Sequence, residues 1–97
     1  VLHHSNGKVY VATQGSDSII EFEGDGSGAG TTVFNNTAVV LNPTAMVELP
    51  DGTLLIASDG TDSLEQITTA GDRVRTTPFI RDAFTGLVND MVVVPGL

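Results

Sequence analysis

The chain contains no cysteine, so disulfide frameworks, thiolate metal sites and cysteine nucleophiles are all excluded. Basic residues are scarce: four Lys and Arg stand against twelve Asp and Glu, a formal net charge of −8. Such a chain repels phosphate backbones and anionic lipid, so neither nucleic acid nor a membrane surface is an expected partner. No apolar run approaches the roughly 20 residues that a membrane helix needs. The first residue is Val1 and no signal-peptide pattern follows it, which reads as a processed or excised piece of something longer. Low Lys with abundant Thr, Gly and Asn leans towards an exported bacterial protein.

What is present is repetition. Ninety-seven residues suit one domain, and 40% apolar residues are too many for a disordered tail. Sliding the chain by 45 positions aligns residues 1–52 on 46–97 without a gap, and thirteen of the pairs are identical. They include Gly7/Gly52, Ala12/Ala57, Asp17/Asp62, Ser18/Ser63, Gly26/Gly71, Phe34/Phe79 and Met46/Met91, and they run along the whole overlap. A fixed period of this length is the mark of a repeat architecture.

Each unit reads as four short strands. The first is apolar and ends at proline: Ala45–Leu49 before Pro50, and Asp90–Val94 before Pro95; Val1–Ser5 is the tail of another. A two-residue Asp51-Gly52 or Asn6-Gly7 turn, a strong hairpin signal, leads into the second strand, Thr53–Ser58 or Lys8–Thr13. The third is Ser63–Thr68 or Ser18–Glu23, and the fourth covers Arg73–Ile80 or Thr31–Phe34. Helix has little support beyond a turn at Ile80–Phe84, because Val, Ile, Thr and Phe dominate and Gly or Pro recurs too often. Val-Tyr-Val-Ala, Leu-Leu-Ile-Ala and Met-Val-Val-Val are continuous apolar runs, which predicts strands buried on both sheet faces. A radial stack of small sheets satisfies that, so the expected fold is all-β: two four-stranded antiparallel β-propeller blades, spanning about 1–45 and 46–90, with an extra strand at 90–94.

The run from Pro43 to Ser58, a proline, an apolar strand, an Asp-Gly turn and then Leu-Leu-Ile-Ala, resembles the start of an NHL-type propeller repeat. Ser18-Ile19 with Phe22, and Ser63-Leu64 with Ile67, resemble the Arg-Ile-x-x-Phe segment of those repeats. The absence of Trp matches WD-repeat blades and Trp-lined propeller lectins poorly. Two blades cannot close a ring. The expectation is either a piece of a larger propeller or self-association through blade faces, with a trimer favoured because three copies supply six blades. Exchange of strand Asp90–Val94 between neighbours would lock such a ring.

Candidate chemistry lies in the loops. Asp17 and Asp62 recur before Ser18 and Ser63. They form either a ring of carboxylates at a channel mouth or Asx-type turns that cap backbone N–H groups. Glu23–Gly28 alternates carboxylates and a hydroxyl like a Ca²⁺ loop, but Phe34 stands where the bidentate Glu belongs, so a Gly-rich hairpin is the better reading. His3 and His4, as strand neighbours, face opposite ways and cannot share a metal. Asn35-Asn36-Thr37 is a glycosylation sequon. Asn89-Asp90 resembles the Asn-Asp at a strand start near the channel of gluconolactonase-like propellers. There the resemblance implies a divalent metal and sugar-lactone hydrolysis; the other unit has Thr44-Ala45 at that place, with Asn42 close by. The ligand-binding candidates are therefore Asn42, Asn89, Asp90, Asp17 and Asp62. No catalytic residue is assigned, and a divalent cation is the only cofactor considered. The expected function is a binding or scaffold module, with a fragment of a metal-dependent lactone hydrolase as the alternative.

Overall fold

A computed structural model describes residues 1–75 and Ile80. The protein is all-β. Strands β1 (Leu2–His3), β2 (Val9–Thr13), β3 (Ser18–Phe22) and β4 (Thr31–Phe34) form one antiparallel sheet in sequence order. Strands β5 (Pro43–Glu48), β6 (Leu54–Ser58) and β7 (Ser63–Ile67) form a second. Two bridges, Ile67↔Arg73 and Leu64↔Ile80, run along the outer side of β7, where the fourth strand of the second unit is expected. Four and three strands are thus observed in place of four and four, and no barrel closes among the described residues. The extra strand at 90–94 and the helical turn expected from Ile80 to Phe84 fall outside the described residues, apart from Ile80 itself.

The pairing has one register in both sheets. Adding 45 to every pair of β1–β2 and β2–β3 gives a pair of the second sheet: Leu2↔Tyr10 becomes Val47↔Leu55, and Ala12↔Ile19 becomes Ala57↔Leu64. The turns follow suit. Gly7 N–H donates to the His4 carbonyl at 3.0 Å and Gly52 N–H to that of Leu49 at 2.8 Å.

These hairpins are not the two-residue turns that Asn-Gly and Asp-Gly suggest. Such a turn needs positive φ at both central residues, and only the glycines have it, Gly7 at 88° and Gly52 at 87°. The closing bonds, His4 N–H to the Lys8 carbonyl and Leu49 N–H to that of Thr53, enclose three residues. Pro50, with φ fixed near −65°, suits the first central position of a type I turn; Ser5 takes that place in the first hairpin, and in both the glycine supplies the left-handed residue that follows.

Strand alternation puts Leu2, Tyr10, Ala12 and Ile19 on one face of the first sheet, and they share a core with Met46, Leu54, Ile56 and Ile67 of the second. Val39 and Val40, from the connection between the sheets, and Phe34 complete it. Strand β5 lies against β1 and β2. Full burial of Leu54, Ile56 and Ile67 stabilises the pair by about 1.5–3 kcal/mol each.

The expectation of burial on both faces holds for β6, which is buried along its whole length. It does not hold for β2. There only Tyr10 is buried, because the other face of the first sheet has no sheet packed on it among the described residues. One helical feature appears that the sequence did not suggest, a single 3₁₀ turn at Asp59–Thr61.

Candidate functional site

The loops that carry Asp17, Asn42 and Asp62 meet at one end of the sheet pair. Asp17 ends the β2–β3 turn and Asp62 ends the 3₁₀ turn before β7. Both are left-handed, with φ of 51° and 50°. Asp tolerates this conformation better than most residues, which accounts for its recurrence without any ligand. Asn42, just before β5, is left-handed as well, with φ of 54°.

Asp17 does not make the local turn contact expected of it. Its Oδ1 instead accepts the backbone N–H of Asn42 at 2.7 Å, across 25 residues. The other side of Asn42 is held by the second sheet: Asp59 N–H donates to its carbonyl at 3.2 Å, and its Nδ2 stands 3.5 Å from Asp59 Oδ2. Leu41 is fastened the same way, donating its N–H to Ser58 Oγ at 2.9 Å and accepting that of Gly60 at 2.8 Å. A side chain at Gly60 would run into Leu41 Cγ at 2.7 Å, so this crossing requires glycine.

The structure therefore brings Asp17 and Asn42 into contact and adds Asp59 to them. Among the described residues Asp62 is joined only through its backbone N–H, which donates to the Asp59 carbonyl at 3.2 Å. Its side chain is exposed. Asn89 and Asp90 lie outside the described residues. Thr44, at the bulge where β5 begins, buries its hydroxyl with no hydrogen-bond partner among the described residues. No three His, Asp or Glu side chains stand close enough to hold a metal ion among the described residues. Chemically this end offers a carboxylate engaged with a backbone N–H, a second carboxylate beside an amide, and exposed carbonyl and carboxylate oxygens around them. Among the described residues it contains no nucleophile positioned by a base.

The Glu23–Gly28 segment is a hairpin turn. Gly26 N–H closes it on the Glu23 carbonyl at 2.9 Å, and Asp25 accepts the Ser27 N–H at 2.9 Å. Hydrogen bonding from the Ser27 side chain, and then from its backbone N–H, lowers the Asp25 pKa. Glu23 is turned to Lys8, 2.5 Å away.

The opposite end holds a cluster that sequence reasoning missed. His4 is buried between the sheets. Its Nδ1 accepts the Asn6 N–H at 3.0 Å, so the ring hydrogen sits on Nε2, which donates to the Gly52 carbonyl at 2.7 Å. Beside it, Ser5 donates its N–H and its hydroxyl to the two Glu48 oxygens at 2.8 and 2.5 Å. These bonds hold the Glu48 carboxyl below its ordinary pKa, side-chain bond first. Tyr10 packs edge-on against His4, with ring centres 5.5 Å apart, and donates its hydroxyl to Glu21 Oε2 at 2.9 Å. Burial pushes the Tyr10 phenol upward.

His3 and His4 do face opposite ways, as strand neighbours must, with His3 exposed. The available signal for His4 was its place in the alignment opposite Leu49, an apolar position ahead of the turn glycine. The signal for Ser58 was a small polar residue closing an apolar strand. No family model matches the chain, and comparison with curated proteins and with solved structures found no match.

Proposed function

We propose that the chain is a pair of consecutive β-propeller blades of the NHL-like kind, acting as a binding or scaffold module that completes its ring with further blades. The observation that supports this is the register. Every pair of the first three strands recurs 45 residues later, as do the turn bonds of Gly7 and Gly26 at Gly52 and Gly71, which supports reading the two sheets as one unit made twice. The units also stack in the same sense. The Tyr10–Ala12–Ile19 face of the first meets the Leu54–Ile56–Ile67 face of the second, and these are opposite faces of the repeat. Three copies would supply six blades, which makes a trimer the favoured assembly. A ligand of the completed ring would meet the end bearing Asn42, Asp17 and Asp62, with Asn89 and Asp90 as the remaining candidates.

A scaffold reading is preferred to metal-dependent lactone hydrolysis because Asp17 is engaged in joining the two sheets. Titration calorimetry with Ca²⁺ and with Zn²⁺ tests the choice. The expected result is no binding heat. A saturable heat at micromolar metal, lost in Asp90→Asn, would overturn the scaffold reading in favour of the hydrolase.

A further inference from the structure

The Asn6-Gly7 turn carries a chemistry of its own. A glycine after asparagine leaves its backbone nitrogen open to the asparagine side chain, because no Cβ stands in the way. The Gly7 nitrogen, on losing its proton, attacks Asn6 Cγ and closes a succinimide ring. The Cγ–Nδ2 bond breaks, and Nδ2 leaves as ammonia with the proton that Gly7 gave up. Water then adds to one ring carbonyl and breaks its bond to nitrogen, giving aspartate or isoaspartate. Burial does not prevent this. Both residues are exposed, and nothing lies within 4 Å of where a Gly7 Cβ would be.

Hydrogen bonds do oppose it. The Gly7 N–H donates to the His4 carbonyl at 3.0 Å. Asn6 Oδ1 accepts the Lys8 N–H at 2.9 Å, and Nδ2 donates to the Tyr10 hydroxyl at 3.1 Å. The Asn6 N–H donates to His4 Nδ1 at 3.0 Å. The two anchors are fixed in turn. His4 is bonded to the Gly52 carbonyl of the second sheet's hairpin, and Tyr10 is fully buried and donates to Glu21. Deprotonation of Gly7 forfeits its bond to His4, and departure of Nδ2 forfeits its bond to Tyr10.

We propose that Asn6 is a latent deamidation site, kept unreacted by its His4 and Tyr10 anchors and released when the first hairpin parts from the second sheet. The second unit displays one product. Asp51 stands at the place of Asn6, and its Oδ1 accepts the Thr53 N–H at 3.0 Å, so aspartate keeps the turn bond. Isoaspartate adds a backbone carbon to a turn whose closing bond encloses three residues, and the turn is lost. Either product deprives Tyr10 of its donor. It also sets a second carboxylate at a hydroxyl whose one hydrogen already goes to Glu21, so the change weakens the contact that had prevented it.

The test incubates the full chain at mildly alkaline pH, folded and in urea, and follows the amide-to-acid mass gain of the peptide that trypsin releases at Lys8. The folded chain is expected to react at least about tenfold more slowly than the unfolded one. Tyr10→Phe keeps the ring, and His4→Leu installs the residue type found at the equivalent place, Leu49. Each is expected to speed the folded reaction about tenfold at unchanged circular dichroism, the worth of one hydrogen bond. Ile56→Val weakens the core but makes none of the Asn6 bonds, and its rate should match wild type. Equal rates for folded and unfolded wild type overturn the proposal, and that comparison stands whether or not a variant folds. An Ile56→Val rate as high as that of Tyr10→Phe, or anchor variants that react no faster than wild type, overturn it as well.

Discussion

Gly26 and Gly71 occupy the same turn in the two units, and replacing each by alanine separates local strain from contact between the sheets. Their backbones match: φ is 81° and 93°, and each N–H closes on the residue three before it, Glu23 at 2.9 Å and Thr68 at 3.0 Å. Their surroundings differ. A Cβ on Gly26 meets nothing within 4 Å, whereas one on Gly71 would overlap the carbonyl oxygen of Val33 in β4 of the other sheet. Alanine in the left-handed region costs about 1–2 kcal/mol at either site. At Gly71 the β4 backbone must also move, which adds about 1–3 kcal/mol. With a urea slope of about 1 kcal/mol/M, the midpoint falls by about 1–2 M for Gly26→Ala and by about 1–3 M more for Gly71→Ala. Urea unfolding followed by circular dichroism reads both. Equal midpoints for the two variants would show that the second hairpin does not press on the first sheet, and the reasoning would be refuted.

Asp17→Ala and Asp62→Ala lose the same left-handed aspartate, but only the first strips the Asn42 N–H of its partner. Asp17→Ala is therefore expected to be the more destabilising by about 1–3 kcal/mol, and coincident thermal melts of the two would contradict that. The Glu48 carboxyl, held down by Ser5, should titrate below its ordinary 4.5 in carbon-detected nuclear magnetic resonance, and Ser5→Ala should raise it. The sign follows from the lowered value. The contribution is complete above the unfolded pKa and is lost as pH falls through the lower folded one, so the gap in stability between wild type and Ser5→Ala closes on the acid side. A gap that persists unchanged through that range would remove Glu48 as its cause.

Strand positions were legible because each rests on local chemistry. The expected Thr31–Phe34 is β4 without change, and β2, β3, β6 and β7 each differ from expectation at one end by a single residue. Strand β5 begins two residues early, at Pro43, since the first position of a strand tolerates a residue without an N–H. The turn type was not legible, because Asn-Gly and Asp-Gly do not by themselves distinguish a type I turn followed by a left-handed glycine from the primed turns, and Ser5 and Pro50 precede the same turn. The candidate site was less legible. That Asp17 and Asp62 recur was plain, but the recurrence reflects a shared backbone conformation, while the hydrogen bond that Asp17 makes has its partner 25 residues away. The role of His4 was not legible, because nothing in Leu-His-His-Ser states that a carbonyl of Gly52 will arrive 2.7 Å from its ring.

By itself the sequence determined the period of 45, the all-β class, the described strands to within two residues and the turns at Gly7 and Gly52, since propensity, proline and glycine act within a few residues. It also excluded thiol chemistry, through composition alone. Only the tertiary structure decided which face of each sheet is buried, that Asp17 and His4 join the two sheets at opposite ends, and that Val9, Val11, Ile20 and Phe22 are left half open. The physical reason is that hydrogen bonds and apolar contacts between sheets depend on distance in space. Two units with the same local pattern acquire different environments once one of them has a neighbour on a face that the other leaves bare.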